Sequence, residues 1–161
     1  MSPRAAWRLE SLGFTEVYDY APGEVDWLAE GMPMEGEQAS LARVGALARQ
    51  DVPRCGLLDR IGNIRQRVEA AGWDVCVVVN DQAVVLGLLR SRQLAGDPEA
   101  TAGEVMQPGP TTYRPDTLVT DAAKRLRERR VAGVLVTRSD GKLIGWLRRE
   151  DAEAQAGDAA S

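Results

Sequence analysis

From about residue 55 onward the chain alternates between two hydrophobic rhythms. Ile61, Ile64 and Val68 recur at intervals of three and four, which places them on one stripe of a helix spanning about 61–71. Val75-Cys76-Val77-Val78-Val79 and Val84–Arg90 are β-branched or aliphatic runs that read as strands, joined by Asn80-Asp81-Gln82. The same order then returns. Val119, Ala122 and Leu126 form a second stripe over about 117–130, and Gly133–Thr137 and Lys142–Arg148 form a second strand pair. A short extended segment, Cys55–Leu58 or Thr111–Tyr113, precedes each helix, and a closing helix begins near Ser91 and again near Arg149. Each unit therefore reads β-α-β-β-α.

The two units are copies. Gly145 stands 58 residues after Gly87, and at that offset every strand and stripe position above aligns without a gap. Two copies of one pattern mean two copies of one structural unit. A unit of this size with a single hairpin has little core of its own. The predicted fold class is thus α/β (α+β), with repeats at residues 43–98 and 99–155 packed about a pseudo-twofold axis and a flexible tail at 156–161. In the second unit Pro115-Asp116-Thr117 signals a helix start, with Asp116 or Thr117 as N-cap. Asp140-Gly141 suits a tight hairpin that needs a positive φ. Asn80-Asp81-Gln82 lacks glycine, which predicts a looser first turn.

Residues 1–36 follow a different pattern. Ala5, Leu9 and Leu12 mark a helical stripe, Gly13 ends it, Val17–Tyr20 reads as a strand, and Gly23 leads into a second helix at Val25–Ala29. This α-β-α segment joins the repeats through a polar linker at 37–42. Its single strand needs sheet partners, so it is expected to pack as an appendage on the repeats or to be poorly ordered alone, or else to continue a part that lies upstream, with Met1 then an internal methionine. Residues 1–40 carry Arg4 and Arg8 against eight carboxylates, a balance of −6, whereas residues 41–161 balance at +2.

Across 161 residues, 24 acidic side chains face 20 basic ones, so neither part has the strong positive charge of a nucleic-acid binder. The local cluster Lys124–Arg130 is either a solvated helix face or an anion-attracting rim. No apolar run approaches the roughly 20 residues a membrane span requires, and the expectation is a cytoplasmic protein that does not engage a membrane. The sequence has no histidine. That removes histidine-dependent triads and most zinc hydrolase sites, and no metal site is expected. Cys76 reads as an inert buried thiol and Cys55 as one nearer a cleft. Trp7, Trp27, Trp73 and Trp146 read as core or interface filler rather than a stacking platform for nucleic acid.

Glu104-Val105-Met106, Pro110–Asp116, Val131–Val136, Asp140–Leu147 and Asp151, together with the Gly87-Leu88-Leu89 signature of the first copy, form an ordered series. It resembles the tandem cystathionine-β-synthase (CBS) domain pair, also called a Bateman module. The resemblance implies a regulatory protein with no catalytic residue and no required cofactor. Such pairs bind an adenine nucleotide such as AMP or ATP, or S-adenosylmethionine, in the cleft between repeats, and commonly form homodimers. Carried over position by position, it implies ligand contacts from Thr111, Thr112, Ala132, Gly133, Val134, Arg148 and Asp151. The sequence departs from the family at Arg90 and Arg148, which stand where a Ser or Thr contacts the ribose–phosphate end. Gln93 likewise replaces the ribose-binding Asp that the second copy keeps as Asp151. Arg148 is expected either to grip a phosphate with its planar fork or to pair with Asp151 one helical turn on. Gly133 either admits a base close to the backbone or marks a bend.

Residues 1–36 resemble the C-terminal end of a rhodanese domain through Leu12-Gly13-Phe14, Val17–Tyr20, Asp26-Trp27-Leu28 and Met32–Gly36. The catalytic cysteine of that family falls before this stretch. The sequence thus supports a regulatory CBS pair first. The alternatives are a structural or partner-binding module with decayed nucleotide sites and, behind that, a piece of a rhodanese-type sulfurtransferase with its N-terminal part missing.

Overall fold

The structure is a computed structural model that describes residues 41–158; the rhodanese-like segment and the linker up to residue 40 lie outside the described residues. The first repeat runs α1 (Val44–Leu47), β1 (Arg54–Cys55), α2 (Ile61–Ala70), β2 (Val75–Val79), β3 (Val85–Arg90) and α3 (Ser91–Leu94). The second runs α4 (Ala102–Val105), β4 (Gln107–Pro108), β5 (Thr112–Tyr113), α5 (Val119–Glu128), β6 (Gly133–Thr137), β7 (Leu143–Arg148) and α6 (Arg149–Asp158). The β-α-β-β-α unit is present twice, each copy led in by a four-residue helix that the hydrophobic pattern did not announce. Residues 156–158, expected in a tail, continue α6.

The duplication extends to single hydrogen bonds. β1 pairs parallel with β2 through Arg54↔Val77, and β5 with β6 through Thr112↔Leu135. The hairpins pair Val75↔Arg90 and Gly133↔Arg148 in identical register, with a bulge at Val78/Val79 and at Val136/Thr137. On α2, Ile61, Ile64 and Val68 are buried; on α5, Val119, Ala122, Ala123 and Leu126 are. These are the stripes the periodicity predicts.

The lead-in segments cross over. Val44 N–H donates to Thr117 O and Gly45 N–H to Pro115 O, both in the second repeat, while Ala102 N–H donates to Asp59 O and Gly103 N–H to Leu57 O, both in the first. Beyond the short helices, Arg49 bridges to Trp146 on the edge of β7, and β4 pairs with β3 through Leu88↔Gln107. Each arm therefore completes the sheet edge of the opposite repeat. At the hairpin tips Val84 bridges directly to Lys142, with Val85 N–H donating to Gly141 O and Leu143 N–H to Ala83 O. The apolar core runs across the same boundary: Leu135, Leu143 and Trp146 of the second repeat belong to the cluster built on Ile61, Ile64 and Val77. Burying each large aliphatic side chain contributes roughly 1.5–3 kcal/mol, and neither repeat keeps that burial alone.

Three local expectations are corrected. The N-cap of α5 is Leu118, with no side-chain cap, because Arg43 bridges to Leu118 and Ala42 O accepts the Val119 N–H; the docked arm satisfies the helix end instead of Asp116 or Thr117. The first hairpin turn is not looser than the second. Ala83 N–H donates to Asn80 O as Gly141 N–H does to Arg138 O, and Asn80 Oδ1 accepts from the Gln82 and Val84 N–H groups. Ala83 takes φ +62° where Gly141 has φ +83°. Arg148 and Asp151 do not pair with each other, for reasons given below.

The left-handed positions show a further exchange. After α2 the chain turns at Gly72 (φ +69°), and after α5 at the equivalent Arg130 (φ +53°). At these two equivalent turns each repeat thus places one glycine and one non-glycine, and Gly109 (φ +59°) adds a third left-handed position in the second repeat. A side chain there costs roughly 1–2 kcal/mol, offset in part by the entropy glycine loses on folding. Ala83→Gly and Arg130→Gly are each expected to raise stability in urea unfolding by about 0.5–1 kcal/mol.

Gly87 and Gly145 lie under the crossing arms. A Cβ at Gly145 would meet the Arg49 carbonyl oxygen at 2.5 Å, whereas one at Gly87 would first meet the flexible Met106 side chain. Gly145→Ala is expected to cost about 2–3 kcal/mol because backbone must move. Gly87→Ala, accommodated largely by Met106, is expected to cost less than half as much in the same measurement.

Candidate functional site

The site is set by where β3 and β7 end. Their last residues, Arg90 and Arg148, occupy equivalent positions, and each guanidinium reaches an indole of the opposite repeat. Arg90 lies 5.9 Å from the Trp146 ring centroid, and Arg148 lies 4.7 Å from that of Trp73. Trp146 and Trp73 are 4% and 8% exposed, so both fill the core as the sequence predicts, while their ring faces anchor the two arginines.

Two cavities open around these stacks. One, of about 310 Å³, is lined from the second repeat by Thr111, Tyr113, Arg129, Gly133 and Val134, and from the first by Leu88 and Arg90. The other, of about 440 Å³, is lined by Trp73, Asp74 and Arg90 on one side and by Ala132, Arg148, Arg149, Glu150 and Glu153 on the other. Arg90 and Trp146 line both and so form the partition between them.

The predicted site residues are distributed among these features. Thr111, Gly133 and Val134 meet in the smaller cavity; Ala132 and Arg148 line the larger. Thr112 is exposed on β5 and lines neither. Asp151 lines neither, and its Oδ2 accepts from Arg49 Nε at 3.1 Å. Arg148 Nη1 donates to Glu150 Oε1 at 3.2 Å. Arg148 and Asp151 are separated because the crossed arm delivers a competing guanidinium, Arg49, to the start of α6. In the first repeat, Gln93 Oε1 accepts the Arg90 backbone N–H at 3.2 Å, which holds the strand end against α3.

Gly133 does permit close approach, and its neighbour is Trp146. A Cβ there would meet indole Nε1 at 2.4 Å and the Leu147 carbonyl at 2.6 Å. The indole thus lies on the strand at the point where the resemblance implies a base. Sequence reasoning missed Arg90 as a partner of the second repeat's residues, along with Tyr113 and Arg129. Arg129 was legible as part of the basic cluster Lys124–Arg130, which is otherwise a solvated face; within it Arg127 pairs with Glu153 of α6 at 3.1 Å.

Both cysteines are free and buried. The Cys76 S–H donates to the Cys55 sulfur, which holds the Cys55 thiol below its ordinary value. The same bond, with burial, pushes Cys76 far above it. The pair lies between β1 and β2, away from the cavity that holds Thr111 and Gly133. Among the described residues there is no cluster of three or more potential metal ligands and no helix long and apolar enough to cross a membrane.

Residues 102–152 match the family model of the CBS domain. The CBS domains of a transcriptional regulator from Streptococcus pneumoniae superpose with a TM-score of 0.65 at 22% identity, covering 70% of this chain and 98% of that one. CBSX2, a CBS-pair protein of Arabidopsis thaliana solved in complex with AMP, superposes with a TM-score of 0.66 at 21% identity, covering 74% of this chain and 99% of that one. Arabinose 5-phosphate isomerase KpsF of Escherichia coli is 26% identical over 115 residues, 67% of this chain and 35% of the isomerase. The chain therefore spans about a third of the length of that curated relative. The second repeat carries the sequence pattern of a CBS domain, and the two repeats together have the fold of a tandem CBS domain pair.

Proposed function

We propose that this chain is a non-catalytic regulatory module that binds an adenine nucleotide or related anionic ligand between its repeats, acting in the cytoplasm as a homodimer. The observation that carries this reading is the 310 Å³ cavity, in which Thr111, Gly133 and Val134 of one repeat face Arg90 of the other. Its volume lies in the range of small-molecule sites, about 300–1,000 Å³, and its walls combine apolar side chains such as Leu88 and Val134 with the polar Thr111, Arg90 and Arg129. A ligand that touches both repeats stabilises their packing against each other, and any partner sensitive to that packing reads the ligand's concentration. The AMP complex of CBSX2 supports adenine nucleotides as the first class to test. AMP, ATP and S-adenosylmethionine are the candidate ligands. No bound cofactor is needed for this role.

A second reading, a structural or partner-binding module whose nucleotide sites have decayed, draws on two observations. The Trp146 indole covers Gly133, and Asp151 is engaged by Arg49. Isothermal titration calorimetry with AMP, ATP and S-adenosylmethionine separates the two. The regulatory reading predicts saturable heat with at least one of the three at a Kd below about 1 mM, or −4.1 kcal/mol. Silence from all three at millimolar concentration would favour the partner-binding module.

A further inference from the structure

We infer that the ligand of the smaller cavity is selected by negative charge. In this assignment its phosphate is held by two guanidinium groups, Arg90 from the first repeat and Arg129 from the second, and its planar ring is held by the apolar wall. The inference rests on the nucleotide reading above and narrows it to phosphate-bearing nucleosides.

Charge distinguishes the two cavities. The charged residues lining the smaller one are Arg90 and Arg129, with no carboxylate among its walls. In the larger one Asp74, Glu150 and Glu153 stand against Arg90, Arg148 and Arg149, and Arg148 is already engaged by Glu150. Neither the Arg90 nor the Arg129 guanidinium has an ion-pair or hydrogen-bond partner among the described residues. Arg90 is half-buried and steadied over Trp146, so its donor edge is pre-positioned rather than free to sweep through solvent. Tyr113, Leu126, Val134 and Trp146 are buried and supply an apolar face for a ring.

Two unneutralised cations beside a low-dielectric wall favour an anion. Guanidinium–phosphate hydrogen bonds are charge-assisted and frequently bidentate. The same two charges disfavour a cation placed there. S-adenosylmethionine presents a sulfonium where a nucleotide presents its phosphate, and like charges at contact repel most strongly where water is displaced.

The test is calorimetry on the full chain with AMP, ATP, adenosine, S-adenosylmethionine and arabinose 5-phosphate. AMP or ATP is expected to bind at least about tenfold more tightly than adenosine. S-adenosylmethionine is expected to give no saturable heat, and arabinose 5-phosphate, a phosphate without a base, to bind more weakly than AMP. Arg90→Gln and Arg129→Gln should each weaken AMP by about tenfold while leaving adenosine within about twofold. Arg90→Lys keeps the charge and the stack on Trp146 and should retain most of the AMP affinity, which separates charge from folding should Arg90→Gln unfold. Equal affinity for adenosine and AMP, binding of S-adenosylmethionine as tight as AMP, or indifference of AMP to both glutamine variants would overturn charge selection while leaving the nucleotide reading in place. Silence from every adenine compound would overturn the nucleotide reading itself.

Discussion

The rest of the structure depends on the exchange of lead-in arms between the repeats. Four backbone hydrogen bonds, from Val44, Gly45, Ala102 and Gly103, tie each arm to the loop before the other repeat's helix. Arg49 and β4 then cap the outer edges of β7 and β3. An uncovered sheet edge is a site for unwanted pairing, and a two-strand hairpin on one helix is too small to fold by itself. The crossing answers both problems, because each repeat supplies the edge strand and part of the core that the other lacks.

That constraint accounts for details scattered along the chain. An arm passes over both Gly87 and Gly145, and at Gly145 the Arg49 backbone leaves no room for a side chain. Leu118 needs no side-chain cap because Arg43 and Ala42 already meet the helix end. Arg49 rides on its arm to Asp151 and so leaves Arg148 to Glu150 and Trp73. The hairpin ends consequently meet across the repeat boundary, with Arg90 on Trp146 and Arg148 on Trp73. The cavities are the space left around those two stacks. The site is a product of the packing between repeats.

The duplication was legible in the sequence because it rests on long, strongly periodic elements: the stripes Ile61-Ile64-Val68 and Val119-Ala122-Leu126 and the two strand pairs appear where the pattern puts them. The arms were not legible. A four-residue helix followed by one bridged residue has no period to detect, and its partner lies far along the chain. The first hairpin turn was misjudged for another reason. Ala83 accepts a left-handed conformation because the Asn80 side chain holds the turn locally and the bridge between Val84 and Lys142 adds a tertiary hold that local turn chemistry does not express. Within the site, the family resemblance grouped Thr111, Gly133 and Arg148, whereas the fold divides them and gives Thr111 and Gly133 an arginine from the other copy.

The central claim is that the two repeats form one cooperative body interlocked by the crossed arms. Native-state hydrogen exchange addresses it most directly. The account predicts that the strand amides Val77 and Leu135 and the arm amides Val44 and Ala102 exchange through a single opening, with free energies equal within about 1 kcal/mol and falling in parallel with denaturant. Independent opening of one repeat, or early release of both arms while the hairpins stay protected, would contradict it.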